Sequence, residues 1–494
     1  MNKITGKPFF SFILIAIIIF TFLVLPASAD DWPLFQKDLF NTGVTGDRAP
    51  TDTPEDWIIW DRGTSSVSSS GGIDVAPIIV DDTIYTISID GTVWAINKTS
   101  GDVKWTNTTT KESIPPLGTP AYGNGKIFVV PNKKSIYAFD ADTGVELWND
   151  TVDTEIIISG RHFNQLITPI TYYDGKIYFG EWGPTSFTSK YYCYNEDGTV
   201  CWTRKSMNTG GYYWCGATVI GKSLVFADED GCLTSVNKDT GETIDEFAAH
   251  DFFEFDSHVR RMRSSINYQE NTGRIYASSE AGYCFWVGFD KENGTFNLAE
   301  SASEQIGRSS STPAVYNGRV YVGTGTVLEA SKLKTLYCLD SDSLEKIWNF
   351  TASGPIQASP VISTAFDDGD GEVYIYFIGN THDGKVFCLK DYAGNAEPIL
   401  QWTYEQPEDK KEYTLQGVAI SDGWLYFAND AGYIFGLKEW NQWNDPDSDE
   451  GKTISNTELQ ETIYLWGNNL DSSISKEKVT RERLEKIVYY WLNP

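Results

Sequence analysis

Six tryptophans close similar strand-rich stretches and give the chain a repeat of about 45 residues. They are Trp60, Trp105, Trp148, Trp202, Trp348 and Trp402. Successive spacings are 45, 43, 54, 146 and 54 residues, so the long gap has room for two further units that lack the closing Trp. A period of this length with four short β-type runs per unit is typical of a propeller blade. The spacing therefore predicts one ring-shaped all-β domain, with function in the loops of one face.

The stretch from Thr119 to Trp148 shows the repeat most clearly. It contains four runs, with period-two alternation of apolar and polar residues, and the turn Asp140–Gly144 supplies the left-handed position that a hairpin needs. Comparable units span residues 75–105, 168–202, 312–348 and 359–402, and two less regular copies span 216–247 and 264–298. The sequence thus predicts seven complete blades.

An eighth blade is predicted from two incomplete stretches. The unit Gly417–Leu437 has three strand-like runs and lacks a fourth, whereas Trp57–Trp60 is one such run with no partners before it. If the N-terminal strand completes the last blade, the ring closes and no sheet edge is left free. We therefore predict an eight-bladed propeller of four-stranded antiparallel blades over residues 30–440, followed by a small α-helical module.

Two stretches resemble the PQQ-type (quinoprotein-like) propeller repeats: Ala138–Trp148, which reads AFDADTGVELW, and Trp32-Pro-Leu-Phe-Gln with Asn41-Thr-Gly43. The resemblance covers about residues 31–440. It implies the fold more than the function, because the family includes dehydrogenases, outer-membrane assembly factors and many secreted proteins. The dehydrogenase members hold the cofactor PQQ against a disulfide between adjacent cysteines and carry an acid/amide set on Ca²⁺. This chain has no adjacent cysteines, so it departs from the dehydrogenase pattern.

Residues 1–29 have the organisation of a secretory signal peptide. Lys3 and Lys7 precede an apolar run from Phe9 to Leu25, and Ala27-Ser28-Ala29 forms a small-x-small cleavage site. This interpretation predicts a secreted or cell-surface protein without a stable membrane anchor after cleavage. The alternative is that the apolar run stays in place as an anchor.

The charge balance narrows the class of partner. The chain has 68 acidic and 39 basic residues, for a formal net charge of −29. Such a surface repels nucleic acid and anionic lipid. We therefore expect a protein or glycan partner and no nucleic acid.

Two kinds of covalent modification are predicted for an exported chain. Cys193 and Cys201 flank the turn Asn195–Thr199 and are placed to cross-link a hairpin. The Asn-x-Ser/Thr sequons are candidates for N-glycosylation; they lie at Asn97, Asn107, Asn149, Asn293 and Asn349.

Residues 441–494 differ from the repeats and resemble a dockerin-like or EF-hand-like module. Alternating acids offer the oxygen ligands that Ca²⁺ prefers; these acids are Asp445, Asp447, Asp449 and Glu458. Ser455 and Glu458 form a capping box that opens a helix. Its expected apolar face is Leu459, Ile463 and Trp466, and the pattern recurs 25 residues later at Leu484, Val488 and Trp491. The alternative is an acidic linker joined to a helical hairpin.

Rare His and Arg residues fall in loops that a propeller places on one face. They are Arg161, His162, His250, His258, Arg260, Arg261, Arg263 and His382. One interpretation is a ligand site at the mouth of the ring, where arginines clamp an anion. The other is that these loops are simply solvated, or that the arginines pair with acids such as Glu254 and Asp256.

No motif in the sequence supplies a nucleophile, a phosphate loop or a paired-cysteine centre. We therefore expect an exported, non-catalytic binding or scaffold propeller at the cell surface, with a C-terminal docking module and Ca²⁺ in its acidic loop. Two alternatives remain: a PQQ-dependent dehydrogenase, and a propeller-type envelope assembly factor.

Overall fold

A computed structural model describes most of the chain. The described residues are 31–61, 72–110, 116–131, 134–152, 157–158, 161–162, 164–183, 189–206, 211–255, 258–325, 333–438, 455–470, 479, 481, 484, 487, 488 and 491. The predicted signal peptide lies outside these residues, as do Asp445, Asp447 and Asp449. Neither of the two α-helices in the described part is long and apolar enough to cross a membrane.

Eight four-stranded antiparallel blades form a ring, as predicted. The N-terminal segment contributes β1 (Val44–Thr45) and β2 (Glu55–Asp61). Blade 1 contains β3 (Ile78–Val80), β4 (Thr83–Ile87), β5 (Thr92–Asn97) and β6 (Val103–Thr108). Blade 2 contains β7 (Ala121–Gly123), β8 (Lys126–Val129), β9 (Ser135–Asp140) and β10 (Glu146–Thr151). Three short strands follow: β11 (Ile157–Ile158), β12 (Arg161–His162) and β13 (Gln165–Leu166).

The two less regular copies in the sequence are complete blades. Blade 3 contains β14 (Thr171–Tyr173), β15 (Lys176–Trp182), β16 (Lys190–Asn195) and β17 (Val200–Lys205). Blade 4, the first of the two irregular copies, contains β18 (Thr218–Ile220), β19 (Ser223–Ala227), β20 (Cys232–Asn237) and β21 (Thr243–Ala248), and α1 (Ala249–Phe252) follows it. Blade 5, the second, contains β22 (Asn267–Gln269), β23 (Arg274–Ser278), β24 (Tyr283–Asp290) and β25 (Thr295–Gln305).

The last three blades lead to the closure of the ring. Blade 6 contains β26 (Ala314–Tyr316), β27 (Arg319–Gly323), β28 (Thr335–Asp340) and β29 (Lys346–Thr351). Blade 7 contains β30 (Val361–Ser363), β31 (Val373–Gly379), β32 (Lys385–Asp391) and β33 (Ile399–Tyr404). Blade 8 contains β34 (Ala419–Ser421), β35 (Trp424–Ala428) and β36 (Tyr433–Lys438). Its fourth strand is β2, which pairs antiparallel with β36 from Glu55 opposite Lys438 to Asp61 opposite Tyr433. The predicted closure by the N-terminal strand is confirmed.

Closing tryptophans whose side chains are described join one blade to the next. One residue before each of the six, the strand register shifts by one residue, which is a β-bulge. The indole of Trp105 then donates to the carbonyl of Ala141 at 2.7 Å, and that of Trp148 donates to Glu196 at 2.9 Å. Gly144 follows the first of these carbonyls, and a Cβ there would lie 2.4 Å from the Trp105 ring. The repeated Trp and Gly are therefore two halves of one contact between blades.

The two blades without a closing Trp compensate differently. In blade 4 the register position of the closing Trp is taken by Asp245, whose carboxylate accepts from Phe296 N in blade 5 at 2.8 Å. The buried Phe247, two residues later, contacts the Phe296 ring. In blade 5 the contact comes from Trp286 on the third strand, whose indole donates to the carbonyl of Asp342 at 3.0 Å. An aromatic side chain thus remains at both junctions.

Between blades 6 and 7 the closing Trp donates to the carboxylate of a buried ion pair, whereas Trp105 and Trp148 donate to backbone carbonyls. Asp391 Oδ2 accepts from Arg319 Nη1 at 2.7 Å, from the Tyr321 hydroxyl at 2.9 Å and from the Trp348 indole at 3.2 Å. The side chains of Arg319 and Asp391 are 9% and 0% exposed. Burial opposes the charge of Arg319, but Asp391 and its neighbours hold the pKa of Arg319 above its usual value.

The N-terminal segment 32–45 crosses the ring axis before it reaches blade 8. Trp32 pairs with Ile79 of blade 1, and the carbonyl of Pro33 accepts from Tyr122 N in blade 2 at 2.9 Å. Further along, β1 adds in parallel to the inner strand β30 of blade 7. The carbonyl of Phe40 accepts from Tyr268 N in blade 5 at 3.1 Å. This segment therefore lies across the channel, a placement that the sequence did not predict.

The C-terminal helix α2 (Asn456–Gly467) begins at the predicted capping box. Ser455 Oγ accepts from Glu458 N at 3.2 Å, and the Glu458 carboxylate accepts from Ser455 N at 2.7 Å. The predicted apolar face is wrong, because Ile463 and Trp466 are 47% and 44% exposed. The buried positions are Thr462 and Leu465, which form a small core with Leu459, Val479, Leu484 and Ile487. The buried Thr462 and Ile487 preserve the 25-residue repeat.

Candidate ligand-binding site at the channel mouth

The predicted site residues lie on one side of the ring but in separate groups. The first strand of each blade is the inner one, nearest the ring axis. The connections that lead into these first strands and the turns between second and third strands lie on the same side of the ring, which we call the mouth. Arg260 Nη1 lies 3.1 Å from Asp251 Oδ1, and His250 is largely buried with its Nδ1 3.4 Å from the same carboxylate. His382 lies near blade 8, where its Nε2 is 3.6 Å from Glu412 Oε2. His258 is exposed, and the side chains of Arg161 and His162 lie outside the described residues.

Two arginines and two glutamates form a charge-balanced network, which we call the mouth cluster. Arg263 Nε donates to Glu229 Oε1 at 2.9 Å, and Arg263 Nη1 donates to Glu280 Oε1 at 3.2 Å. Arg261 lies 3.4 and 3.7 Å from the other oxygens of Glu229 and Glu280. Both carboxylates are less than one-tenth exposed. The arginines are therefore paired with acids, here Glu229 and Glu280, whereas Asp256 lies outside the described residues.

The electrostatics follow from this burial. Burial raises the pKa of Glu280, and the charge of Arg263 offsets part of that effect. Burial alone would lower the pKa of Arg263, but the hydrogen bond and charge of Glu229 and the charge of Glu280 raise it. The arginines are therefore occupied by protein carboxylates, and the cluster has no net charge when all four groups are ionised.

Three aromatic side chains adjoin the cluster. The guanidinium of Arg263 lies 4.0 Å from the centroid of the Tyr213 ring. Trp214 and Trp182 are 4.9 and 5.3 Å from Tyr213, between ring centroids. All three rings are partly exposed. Sequence reasoning missed them because they follow no repeat position.

The mouth leads into a cavity on the ring axis with an empty volume of about 430 Å³, including space open to solvent. Trp214 and Arg263 form part of its wall, and Phe35 of the N-terminal segment forms another part. Hydroxyl and amide side chains supply much of the rest, namely Ser265, Ser310, Thr312, Gln357, Ser359 and Gln416. The arrangement offers neutral hydrogen-bonding groups beside aromatic rings.

The residues at the mouth do not fit PQQ, the cofactor that the family resemblance implies. PQQ carries three carboxylates, and binding it here would require Arg261 and Arg263 to exchange buried protein partners for the ligand. That exchange would leave Glu229 and Glu280 buried beside additional negative charge, which is costly. All seven cysteines are free thiols. We derive no step through this cofactor.

A pair of carboxyl groups lies at the junction of blades 8 and 1. Asp74 and Asp430 hydrogen-bond to each other. Burial raises the pKa of Asp430 to about 9, with further contributions from Asp74 and Glu412, and burial also raises the pKa of Asp74. The backbone is tightly packed at this point, since a Cβ on Gly72 would lie 2.8 Å from the carbonyl of Asp430. The pair therefore holds a proton when the ring is folded.

This proton makes stability depend on pH. The unfolded chain releases it above about pH 4, whereas the folded protein keeps it until about pH 9. The pair's stabilising contribution is therefore complete below pH 4 and is lost as the pH rises toward 9. We expect Asp430→Asn to raise the free energy of unfolding at pH 8 by about 1–3 kcal/mol and to flatten its pH dependence. Urea denaturation at pH 5 and pH 8 measures this, and an unchanged slope would contradict it.

The other predicted sites have mixed outcomes. Cys193 and Cys201 are free thiols in the structure, where Cys201 Sγ donates to Asn195 Oδ1 at 2.9 Å, and a cross-link between them remains a prediction. Three sequon asparagines are exposed, namely Asn149, Asn293 and Asn349. Asn97 and Asn107 are half-buried, and their Nδ2 atoms donate to Asp82 and to the carbonyl of Gly144. The Nδ2 atoms of Asn149 and Asn293 also donate to protein groups, namely Glu146 and Asp290. Glycosylation at these positions remains a prediction.

The predicted Ca²⁺ loop remains a prediction because three of its four acids lie outside the described residues. Glu458, the fourth, caps its own helix. Within the described part of the chain, no group of three or more His, Cys, Asp or Glu is placed to hold a metal ion.

Comparison with known proteins yields partial matches. The family model described as outer membrane protein assembly factor BamB matches residues 50–183. The polyvinylalcohol dehydrogenase of Sphingopyxis sp. (strain 113P3) is 34% identical over 107 residues, which are 20% of this chain and 15% of that protein. The outer membrane protein assembly factor BamB of Yersinia pestis is 27% identical over 100 residues, 19% of this chain and 24% of that protein. The matches thus span a quarter or less of the length of these relatives.

A solved structure extends the likeness to most of the chain. The quinohemoprotein alcohol dehydrogenase from Comamonas testosteroni has a TM-score of 0.59 at 14% identity, covering 88% of this chain and 85% of that one. At such low identity the likeness concerns the fold alone. The repeat match and the shared fold together support a PQQ-type β-propeller.

Proposed function

We propose that this chain is an exported, non-catalytic propeller that binds a partner at the cell envelope or outside the cell through its mouth. The supporting observation is the mouth cavity, where Arg261 and Arg263 are paired with Glu229 and Glu280 beside partly exposed aromatic rings. Carboxylates and guanidinium groups that already pair with one another are better suited to ligand recognition than to proton transfer to a substrate. Partly exposed Tyr, Trp and Arg side chains are the types that contribute most at binding surfaces.

Two exposed arginines at the mouth, Arg260 and Arg261, provide the test of this proposal, and we call them the rim arginines. Arg260 and Arg261 are 48% and 44% exposed, so their ion pairs contribute little to stability. The Arg260→Ala/Arg261→Ala variant should lose about 1 kcal/mol or less of unfolding free energy and bind less partner. Arg263→Ala should cost more, because Arg263 is 16% exposed and its loss removes hydrogen bonds from two buried carboxylates.

Two measurements decide this test. Urea denaturation gives the stability of each variant, and capture of protein and glycan partners by the immobilised protein gives the binding. A loss of several kcal/mol in the double variant would make the rim arginines structural. Full retention of the captured partner would exclude the rim from binding.

An envelope assembly factor is the second candidate. It is supported by the match of residues 50–183 to the BamB family model, because BamB proteins are named as outer-membrane assembly factors. Recovery of outer-membrane assembly proteins alone in the capture experiment would favour this role. The dehydrogenase alternative rests on the likeness to polyvinylalcohol and quinohemoprotein dehydrogenases. Robust dye reduction with alcohols after addition of PQQ and Ca²⁺ would replace our proposal.

Residues 441–494 would then act as a docking module. The support is sequence resemblance together with the capped helix α2, which leaves Ile463 and Trp466 exposed. We propose that the acidic loop before α2 binds one Ca²⁺. Calcium titration calorimetry of the intact protein tests this, and absence of binding heat would end the idea.

A further inference from the structure

Trp214, which lines the axial cavity, has an unused hydrogen-bond donor. Its Nε1 atom is buried and has no hydrogen-bond partner, although most buried donors in proteins are paired. The residue also has a φ of 60°, a left-handed conformation that bulky residues rarely adopt. Strained conformations of this kind cluster at binding and active sites. Strain and an unpaired donor thus coincide at one residue of the cavity wall.

The rings beside Trp214 form an aromatic surface. Tyr213 lies 4.9 Å from Trp214 at an interplanar angle of 59°, and Trp182 lies 5.3 Å from Tyr213 at 89°. The rings are therefore mutually tilted rather than stacked on one another, and each is partly exposed. Aromatic rings at the entrance of a polar cavity can contact the C–H groups of a ligand while nearby polar groups bind its hydroxyls.

The charge balance selects the class of ligand. Arg263 is held by Glu229 and Glu280, so an anion would have to displace a buried carboxylate and a cation would have to displace the guanidinium. The remaining polar lining consists of hydroxyl and amide side chains, which both donate and accept hydrogen bonds. A neutral ligand rich in hydroxyl groups matches this lining, and neither charged class does.

We propose that the mouth cavity binds the end of a neutral saccharide, with a sugar ring against Trp214 and the Trp214 N–H donating to one of its oxygens. This inference rests on the proposed binding function and names its ligand class. Tyr213 and Trp182 contact the next sugar ring, and the hydroxyl and amide side chains bind the first ring from the cavity side.

Calorimetric titration of the purified protein with maltotriose, cellotriose and chitotriose tests the assignment. We expect saturable binding of at least one trisaccharide, and about fivefold weaker binding by Trp214→Phe, because that variant keeps an aromatic ring and removes only the N–H donor. Its stability in urea should not fall, since Nε1 has no protein partner to lose. Tyr392→Phe is the matched control, because it also removes one donor from an aromatic side chain, 38% exposed, in the turn between β32 and β33 on the side of the ring away from the mouth; it should bind as the unmodified protein does.

Each result bears on the assignment. Weaker binding by Trp214→Phe but not by Tyr392→Phe supports it. Equal affinity in the Trp214→Phe variant and the unmodified protein overturns it, and so does the absence of binding heat with all three sugars. The proposed function is decided separately: a protein partner lost in the Arg260→Ala/Arg261→Ala variant would keep a binding role without the sugar. Turnover of alcohols with PQQ would remove both.

Discussion

Replacing Asp391 with alanine is expected to lower the free energy of unfolding by about 3–5 kcal/mol, because the variant leaves Arg319 as a buried, unpaired charge. Asp391 is fully buried and accepts hydrogen bonds from Arg319, Tyr321 and Trp348. Since Arg319 belongs to blade 6 and Asp391 to blade 7, the loss should weaken the junction between two blades. Urea denaturation followed by circular dichroism measures the effect.

Two variants separate the charge from the packing. Asp391→Asn keeps the volume and one acceptor oxygen, so it should cost less than the alanine variant. The Arg319→Met/Asp391→Leu double variant removes both charges and should recover much of the stability, because a hydrophobic pair of similar volume often replaces a buried ion pair at little cost. A loss below about 1 kcal/mol for Asp391→Ala would show that water solvates Arg319 at this junction.

Replacing Trp402 with alanine is expected to cost about 3–5 kcal/mol, the usual range for a large aromatic removed from a core. Trp402 is 3% exposed, and its indole donates to the carbonyl of Pro50 at 2.9 Å. The hydroxyl of Tyr376 donates to the same carbonyl at 3.0 Å. Pro50 belongs to the N-terminal segment that leads into blade 8, so this contact attaches the closing strand to blade 7.

The control for this prediction is a tryptophan in a different setting. Trp466→Ala should change stability by less than about 0.5 kcal/mol, because its side chain is exposed. Trp402→Phe should fall between the two, since it keeps most of the ring and loses the hydrogen bond. Equal stability of the Trp402→Ala and Trp466→Ala variants would mean that the closure does not depend on this contact.

The fold was predictable because its contacts repeat. Trp105 and Gly144 are two sides of one junction between blades, and the same pair recurs at the next two junctions as Trp148 with Gly198 and Trp202 with Gly241. The closing strand was predictable because the last unit lacks its fourth strand and the N-terminal stretch has one strand without partners. The two together make one complete blade. The path of residues 32–45 was not, because its hydrogen bonds reach several blades and leave no periodic pattern.

The site was less predictable because its pairs are distant in sequence. Arg263 pairs with Glu229 and Glu280, which occupy equivalent turns of blades 4 and 5, each two residues before a glycine. Aligning these turns would have revealed the acids, whereas proximity in sequence pointed to Glu254 and Asp256. The helix face was mispredicted because a buried Thr462, whose hydroxyl donates to the carbonyl of Glu458, escapes a search for apolar residues.

The pairing of β2 with β36 sets the order in which the molecule can be completed. Glu55 meets Lys438, so the earliest strand of the ring must wait until the last blade has been synthesised before it finds its partner. Contacts between such distant residues form slowly, because a long chain must be brought together before they contribute. During that interval both sheet edges are open to association with other chains. We therefore expect the maturing chain, rather than the finished ring, to be the form most in need of protection from aggregation.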